Sequence, residues 1–409
     1  MVSPAPAGDG PDGQNVPEAS DRLTLGGILR AFLPGLLGEL HLPRRKLRVL
    51  ARLGACGQAE LLGHCVYQCP ECRHRHWVPR SCGDRHCPRC LSAKSRAWLE
   101  HQMQSLLPVT YYHCVFTLPE ELRALALGHP EKLYPLLFDS AAQTLLEFGR
   151  QRLGGDLGIT AVLHTWGQQL HYHPHLHCIV TGGALSADGQ RWQAPRQRGF
   201  LFPVKALAAR FRNRFLAGLR ELLARGEVTF PEGPLRAPLA QARWLAERQR
   251  QSWNVFAKRP FGGPDQVLQY LANYTHRVAL SNRRIVAVDE ARREVTLRYR
   301  DYRDRSQEKL LTLSAREFIR RFSLHILPPK LVRIRHYGIL GNNRRQRDVA
   351  LVRALLPARR ARRSPGPDAA RPAAPEPLGC PHCHLALRLI GIRDRDGVLH
   401  EFKPRLDSS

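Results

Sequence analysis

Two tyrosines four residues apart, Tyr270 and Tyr274, stand in the run Asp265-Gln-Val-Leu-Gln-Tyr-Leu-Ala-Asn-Tyr-Thr-His276. Asp265 suits a helix N-cap, and on the helix that follows, residues i and i+4 lie side by side. A protonated phenol is a weak nucleophile, with a reference pKa of about 10. A divalent cation that draws charge off a phosphate makes its attack feasible. Attack on a DNA phosphodiester would give a 5′-phosphotyrosine, which stores the bond energy, and a free 3′-hydroxyl. Two tyrosines permit two such bonds at once, as strand transfer between donor and target requires. Taken alone, the pair reads more readily as part of an apolar stripe with Val267 and Leu271, so its chemistry depends on a second motif.

That motif is Gln168-Gln-Leu-His-Tyr-His-Pro-His-Leu-His-Cys-Ile-Val180. On an extended strand, alternate side chains share a face. His171, His173, His175 and His177 then form one row, and Leu170, Tyr172, Leu176, Cys178 and Val180 form the other, which suits a core. Neutral imidazoles two residues apart are metal ligands, and two of them leave positions open for a phosphate oxygen. His175 and His177, nearest the apolar stretch, are the chosen pair. Gln168, Gln169, His171 and His173 remain open as sources of a third ligand.

Cysteines supply a third chemistry. Cys69-Pro-Glu-Cys72 and Cys87-Pro-Arg-Cys90 are two C-x-x-C knuckles with 14 residues between them. Four thiolates so arranged close a tetrahedral site, and the expectation is one structural zinc ion held by Cys69, Cys72, Cys87 and Cys90. Cys56, His64, Cys65, Cys82 and His86 are available for a second site or a substituted ligand, with Cys82 and His64 foremost. Arg73, Arg75, Arg80, Arg85 and Arg89, among these knuckles, suit either DNA contact or a solvated face. Cys380 and Cys383, beside His382 and His384, form a lone pair of thiols, incomplete by themselves.

The elements that must position these groups can be traced along the chain. Apolar spacing predicts short helices over Leu23–Leu62, broken at Pro34 and Pro43, and an amphipathic helix over Ala93–Leu107. Strands are expected at Thr110–Leu118, Ile159–Trp166 and Leu170–Thr181, the last two joined as a hairpin, with helices over 119–152 between them. The tyrosine helix is followed by strands at Val278–Val288 and Glu294–Tyr299. The expected organisation is a disordered tail at 1–21, a helical zinc-binding DNA-recognition domain at 22–107 and a nuclease domain at 108–352. A Pro/Ala/Arg linker at 353–379 and a short CxxC segment at 380–409 complete it. The fold class is α+β.

Composition agrees with a nucleic-acid partner. The 409 residues carry 63 Lys+Arg against 35 Asp+Glu, a net charge of +28, and such basicity is usually matched to a polyanion. No run of 18 apolar residues appears, and the polar start of the chain has no signal-peptide pattern. A cytosolic setting is expected, where 11 cysteines favour metal ligation over disulfides.

In order, the motifs are Ser81-Cys-Gly-Asp-Arg-His-Cys-Pro-Arg-Cys90, Val115-Phe-Thr-Leu-Pro119, His173-Pro-His-Leu-His177 and Tyr270-Leu-Ala-Asn-Tyr-Thr-His-Arg-Val-Ala-Leu-Ser-Asn282. Together, over roughly residues 22–350, they resemble the bacterial two-tyrosine transposases of insertion sequence family 91. That family belongs to the HUH nuclease superfamily, named for a His-hydrophobic-His motif. The resemblance implies that His175 and His177 hold Mg²⁺ or Mn²⁺ and that Tyr270 and Tyr274 are the nucleophiles. It implies an antiparallel sheet with helices on one side, single-stranded DNA as substrate, and a bacterial cytoplasmic, nucleoid-associated setting. Competing readings are a replication initiator or relaxase with the same nicking chemistry and a zinc-finger regulator without catalysis. A small-molecule hydrolase explains neither the charge nor the knuckles.

Overall fold

Burial along Tyr172–Ser186 starts in strict alternation, with the histidines half-buried and Tyr172, Pro174, Leu176 and Cys178 buried between them. This strand is β5, the centre of a six-stranded antiparallel sheet. The computed structural model describes residues 21–91, 106–195, 201–258, 267, 279–302, 304–357 and 378–402. The chain divides into two compact units, one of residues 1–91, 281–320 and 365–409, the other of 92–280 and 321–364. Tyr270, Tyr274 and most of the segment expected as a helix from Ala93 lie outside the described residues.

In the second unit, β3 (Tyr111–Thr117), β4 (Gly155–Trp166), β5, β7 (Val255–Lys258) and β11 (Ile334–Gly338) stand in the order β11-β4-β5-β3-β7. A two-residue strand, β6 (Trp192–Gln193), pairs with the far end of β5. Helices Pro130–Leu153 and Val204–Ala224 cover one face. Their Leu137, Phe138, Ala141, Phe211, Phe215 and Leu219 pack against Phe116, Leu163, Leu176, Cys178 and Val180. This apolar row matches the sequence expectation, except that Leu170 sits in the β4–β5 turn with φ +60°.

The opposite face of the sheet is divided along its length. At one end Tyr111, Ile179 and Leu185 join Ile339, Leu340, Val349, Val352 and Val267 in a second apolar cluster, covered by the helix Arg345–Leu355. At the other end the same face carries histidines. The strand does not stop at Gly182-Gly183 as the sequence suggested. A side chain at Gly183 would strike the Trp192 ring at 2.4 Å, so glycine lets β6 lie close while β5 continues.

Gly338 is conformationally fixed. Its φ is +61°, and a Cβ there would sit 1.8 Å from the Leu157 carbonyl oxygen. Gly338→Ala should destabilise the protein by about 2–4 kcal/mol, through a left-handed backbone and a clash that neither strand can relieve. The denaturant midpoint should fall with the slope unchanged; an unaltered midpoint would contradict this.

In the first unit, Thr24 caps a helix, Leu25–Leu36, by accepting from the Gly27 N–H at 3.0 Å. The helix runs through Pro34 where the sequence suggested a break, because Leu25, Ile28, Leu29, Phe32 and Leu36 form one buried stripe. Pro43 does end the connection and precedes a strongly basic helix, Arg44–Gly54. Strands β1 (His64–Gln68), β2 (Arg75–Pro79), β12 (Arg388–Arg393) and β13 (Leu399–Glu401) form a sheet in the order β13-β12-β1-β2. A separate three-stranded sheet holds β8 (Ile285–Asp289), β9 (Glu294–Asp301) and β10 (Gln307–Ser314).

Two expected boundaries are therefore corrected. Residues 281–320 group with the N-terminal segment, where Asn282 accepts from the Leu25 N–H at 3.1 Å and Arg316 pairs with Glu39. The CxxC segment is not a separate piece, because β12 pairs with β1 along its length.

Candidate metal centres

The β4–β5 hairpin turns tightly around Gly167, where any side chain would meet the His171 ring at 2.2 Å. His325 braces the turn: its Nε2–H donates to the Leu170 carbonyl at 3.1 Å, which leaves Nδ1 to accept from the Thr165 hydroxyl at 3.2 Å. The register that follows sets His164 of β4 directly opposite His175 of β5. Nitrogens of His164, His175 and His177 all lie within 4.8 Å of one another.

Hydrogen bonds orient these rings. The His173 carbonyl lies 2.6 Å from His175 Nδ1. A carbonyl only accepts, so that nitrogen carries the proton and Nε2 keeps its lone pair. Burial holds the His175 pKa down to about 4, so the ring is neutral at physiological pH. His175 Nε2 and His177 Nε2 are 3.1 Å apart. Two nitrogens about 2.1 Å from a shared ion, at a right angle, stand about 3 Å apart. His113 of β3 places its Nε2 2.9 Å from His177 Nδ1, so it can accept that N–H and fix the ring, as the outer partners of metal-bound histidines do.

His164 was not singled out in the sequence, where it reads as one histidine in an apolar strand. The usable signal was the hairpin, since folding it about Gln168–Leu170 brings 164 and 175 together. The alternatives fare differently. His173 Nδ1 accepts from Arg123 at 3.0 Å, and burial holds its pKa to about 3. His171 packs over Gly167 and does not join the nitrogen cluster, while Gln168 and Gln169 stand in the turn.

The cysteines are grouped differently from the expectation of one shared site. Cys87 and Cys90 meet Cys56 and Cys82, while Cys69 and Cys72 meet Cys380 and Cys383. In the first group the Cys56–Cys90 and Cys82–Cys90 sulfurs are 3.6 Å apart and Cys56–Cys87 3.5 Å. Sulfurs about 2.3 Å from one tetrahedral zinc ion are about 3.8 Å apart, so the donors fit. Hydrogen bonds from the neighbouring Cys82 and Cys87 thiols pull the Cys56 pKa down. The two N-terminal knuckles part because β1 and β2 carry Cys69 and Cys72 away on a hairpin, whereas Cys56 follows the basic helix with only Ala55 between.

Cys82 thus belongs to a cluster, but His64 does not. His64 lies on β1 opposite Pro79, its ring edge-on to Trp77. Cys65 faces Val78 and Ile392, and His86 is held by Asp84 through Nδ1 at 2.8 Å; neither belongs to the cysteine clusters.

Comparison with known proteins places this arrangement. A family model described as "Transposase zinc-binding domain" matches residues 28–118, and one described as "Putative transposase" matches 158–347. The chain is 43% identical over 364 residues to "Putative transposase y4qJ" of Sinorhizobium fredii, covering 86% of this chain and 90% of that protein. The chain belongs to the transposases of insertion sequence family 91. A second relative, "Transposase for insertion sequence element IS801" of Pseudomonas savastanoi pv. phaseolicola, is 29% identical over 317 residues, covering 75% of this chain and 73% of that one. No solved structure matches. As a transposase, the protein acts on DNA, and its zinc-binding domain contains the whole of the Cys56, Cys82, Cys87 and Cys90 cluster, a donor set that fits a structural zinc ion. Among the described residues, no helix is long and apolar enough to cross a membrane.

Proposed function

We propose that this transposase cuts and rejoins single-stranded element ends by tyrosine attack beside a divalent cation held by His164, His175 and His177. The carrying observation is the meeting of three imidazole nitrogens on one sheet face, two of them 3.1 Å apart with a fixed tautomer at His175. When bound there, the cation would offset charge developing on the scissile phosphate. His113 orients His177, and the apolar helices behind β5 keep the row rigid. Val267 supports the link to the tyrosines: three residues before Tyr270, it belongs to the same apolar cluster as Ile179, which lies on the face carrying His177.

In the proposed reaction, the Tyr270 or Tyr274 oxygen attacks phosphorus and loses its proton. The bond to the 3′ oxygen breaks, leaving a 3′-hydroxyl and a 5′-phosphotyrosine. A 3′-hydroxyl of another strand then attacks the phosphotyrosine and restores the phenol. The second tyrosine allows the partner strand to be held in the same way. Basic side chains such as those of Arg44–Gly54 would pair with phosphates, making binding steeply salt-dependent.

The test is a denaturing gel of protein incubated with labelled single-stranded element ends. A covalent adduct that forms only with added cation is expected; tight binding without an adduct would leave a DNA-binding protein lacking this chemistry. Three neutral nitrogens without a carboxylate suit Mn²⁺ better than Mg²⁺, which prefers oxygen donors. Half-maximal activity should therefore need at least about tenfold less Mn²⁺ than Mg²⁺, and equal requirements would count against the three-histidine donor set. His113→Ala should raise the Mn²⁺ requirement by about 10- to 100-fold, largely rescued by saturating metal.

A further inference from the structure

The matched family regions end at residues 118 and 347, and Cys380 and Cys383 lie beyond both. We propose that the segment 378–402 closes a second zinc site with Cys69 and Cys72 and is built into the first unit through that ion. The ligands would come from positions 308 to 314 residues apart in the chain.

Four observations carry this. First, the sulfurs converge as one donor set, with Cys69–Cys383 at 3.3 Å, Cys72–Cys380 at 3.5 Å and Cys72–Cys383 at 3.8 Å. Thiolates around a tetrahedral zinc ion have this spacing, and a disulfide, with sulfurs about 2.05 Å apart, does not.

Second, the two knuckles are shaped alike. Each reads Cys-Pro-x-Cys and is followed by a residue in the left-handed region, Arg73 at φ +62° and His384 at +59°. In each, the first cysteine's N–H donates to the carbonyl five residues on, His74 at 2.9 Å and Leu385 at 2.8 Å. A positive φ is uncommon at any non-glycine residue, so two matched turns of this kind indicate a shared purpose, aiming two thiolates at one point.

Third, the knuckles sit in one sheet, because β12 lies against β1 and continues into β13. Fourth, among the described residues little of the segment is buried. Its apolar cluster consists of Cys69, Cys380 and Leu387 with Tyr67 and Cys383 beside them, while Leu385, Leu389 and Phe402 are each 45–49% exposed. A segment with so little core needs an ion to offset the entropy of ordering it.

The proposal is tested on the full chain carrying His175→Ala and His177→Ala, so that the histidine cluster adds no zinc. Metal content is measured by mass spectrometry after gel filtration. Adding Cys380→Ser and Cys383→Ser should remove one zinc ion per chain and leave the Cys56 cluster loaded. Unchanged zinc content would overturn the proposal, since it would mean that Cys69 and Cys72 are ligated without the segment.

A second measurement does not depend on the variant folding. A specific protease site is placed between residues 358 and 377 of the otherwise native chain, and the protein is cut. The 378–409 fragment should co-elute with the body while zinc is bound and separate once a strong chelator has removed it. Separation with zinc still bound, or retention after complete removal, would each overturn the proposal.

Discussion

Replacing both Tyr270 and Tyr274 with phenylalanine is expected to leave no covalent DNA adduct. DNA binding should stay within about twofold, because the hydroxyls carry no charge toward the phosphates at neutral pH. Removing a covalent nucleophile costs on the order of a millionfold where this has been measured in other enzymes, far beyond the range of a gel assay. The single variants should differ from one another: one retains first-strand cleavage and loses joining, and the other loses both. His175→Ala combined with His177→Ala tests the other half of the site. It should lower cleavage by at least about a thousandfold at saturating Mn²⁺, since cation stabilisation of a phosphoryl transfer supplies several kcal/mol. His164→Ala should act in the same direction, because His164 brings the third nitrogen. An adduct that persists in the double phenylalanine variant would assign the nucleophile elsewhere. Normal cleavage in the double alanine variant would assign the histidines to structure.

The parts of this architecture that could be read along the sequence are those fixed by local periodicity. Alternation in Tyr172–Val180 separates a core row from a histidine row, and the structure buries the one and brings His175 and His177 of the other together. What could not be read depends on which distant strands become neighbours. His164 becomes relevant only through the β4–β5 register, and His113 only through β3 lying on the other side of β5. The cysteines show the same limit more sharply. Two knuckles with suitable spacing invite one zinc site, yet β-pairing takes Cys69 and Cys72 to residues 380 and 383. Pro34 and Gly182-Gly183 mislead for another reason. Each signals a break when read locally, but a buried stripe carries the first helix through Pro34, and the close approach of Trp192 requires glycine inside a continuing strand.

Loss of the zinc ion from Cys56, Cys82, Cys87 and Cys90 should be the most destructive single change to the first unit. Structural zinc binding contributes about 10–16 kcal/mol in small modules, comparable to or greater than the about 5–15 kcal/mol by which a whole domain is stable. The local structure is also tied to this cluster. Cys56 follows the helix Arg44–Gly54 with one residue between, Arg52 donates to the Cys82 carbonyl at 3.0 Å, and the Cys82 N–H points at Cys56 Sγ at 3.4 Å. Cys87→Ser should therefore release more than the C-x-x-C turn itself. In hydrogen exchange, amides of the Arg44–Gly54 helix should lose their protection, while those of β4 and β5, in the other unit, should keep theirs. Affinity for element-end DNA should fall, and its dependence on salt should flatten as ordered phosphate contacts are lost. A Cys87→Ser protein with an intact helix and unchanged salt dependence would show that the ion only decorates the fold. Parallel loss of protection in β4 and β5 would show instead that the two units unfold as one.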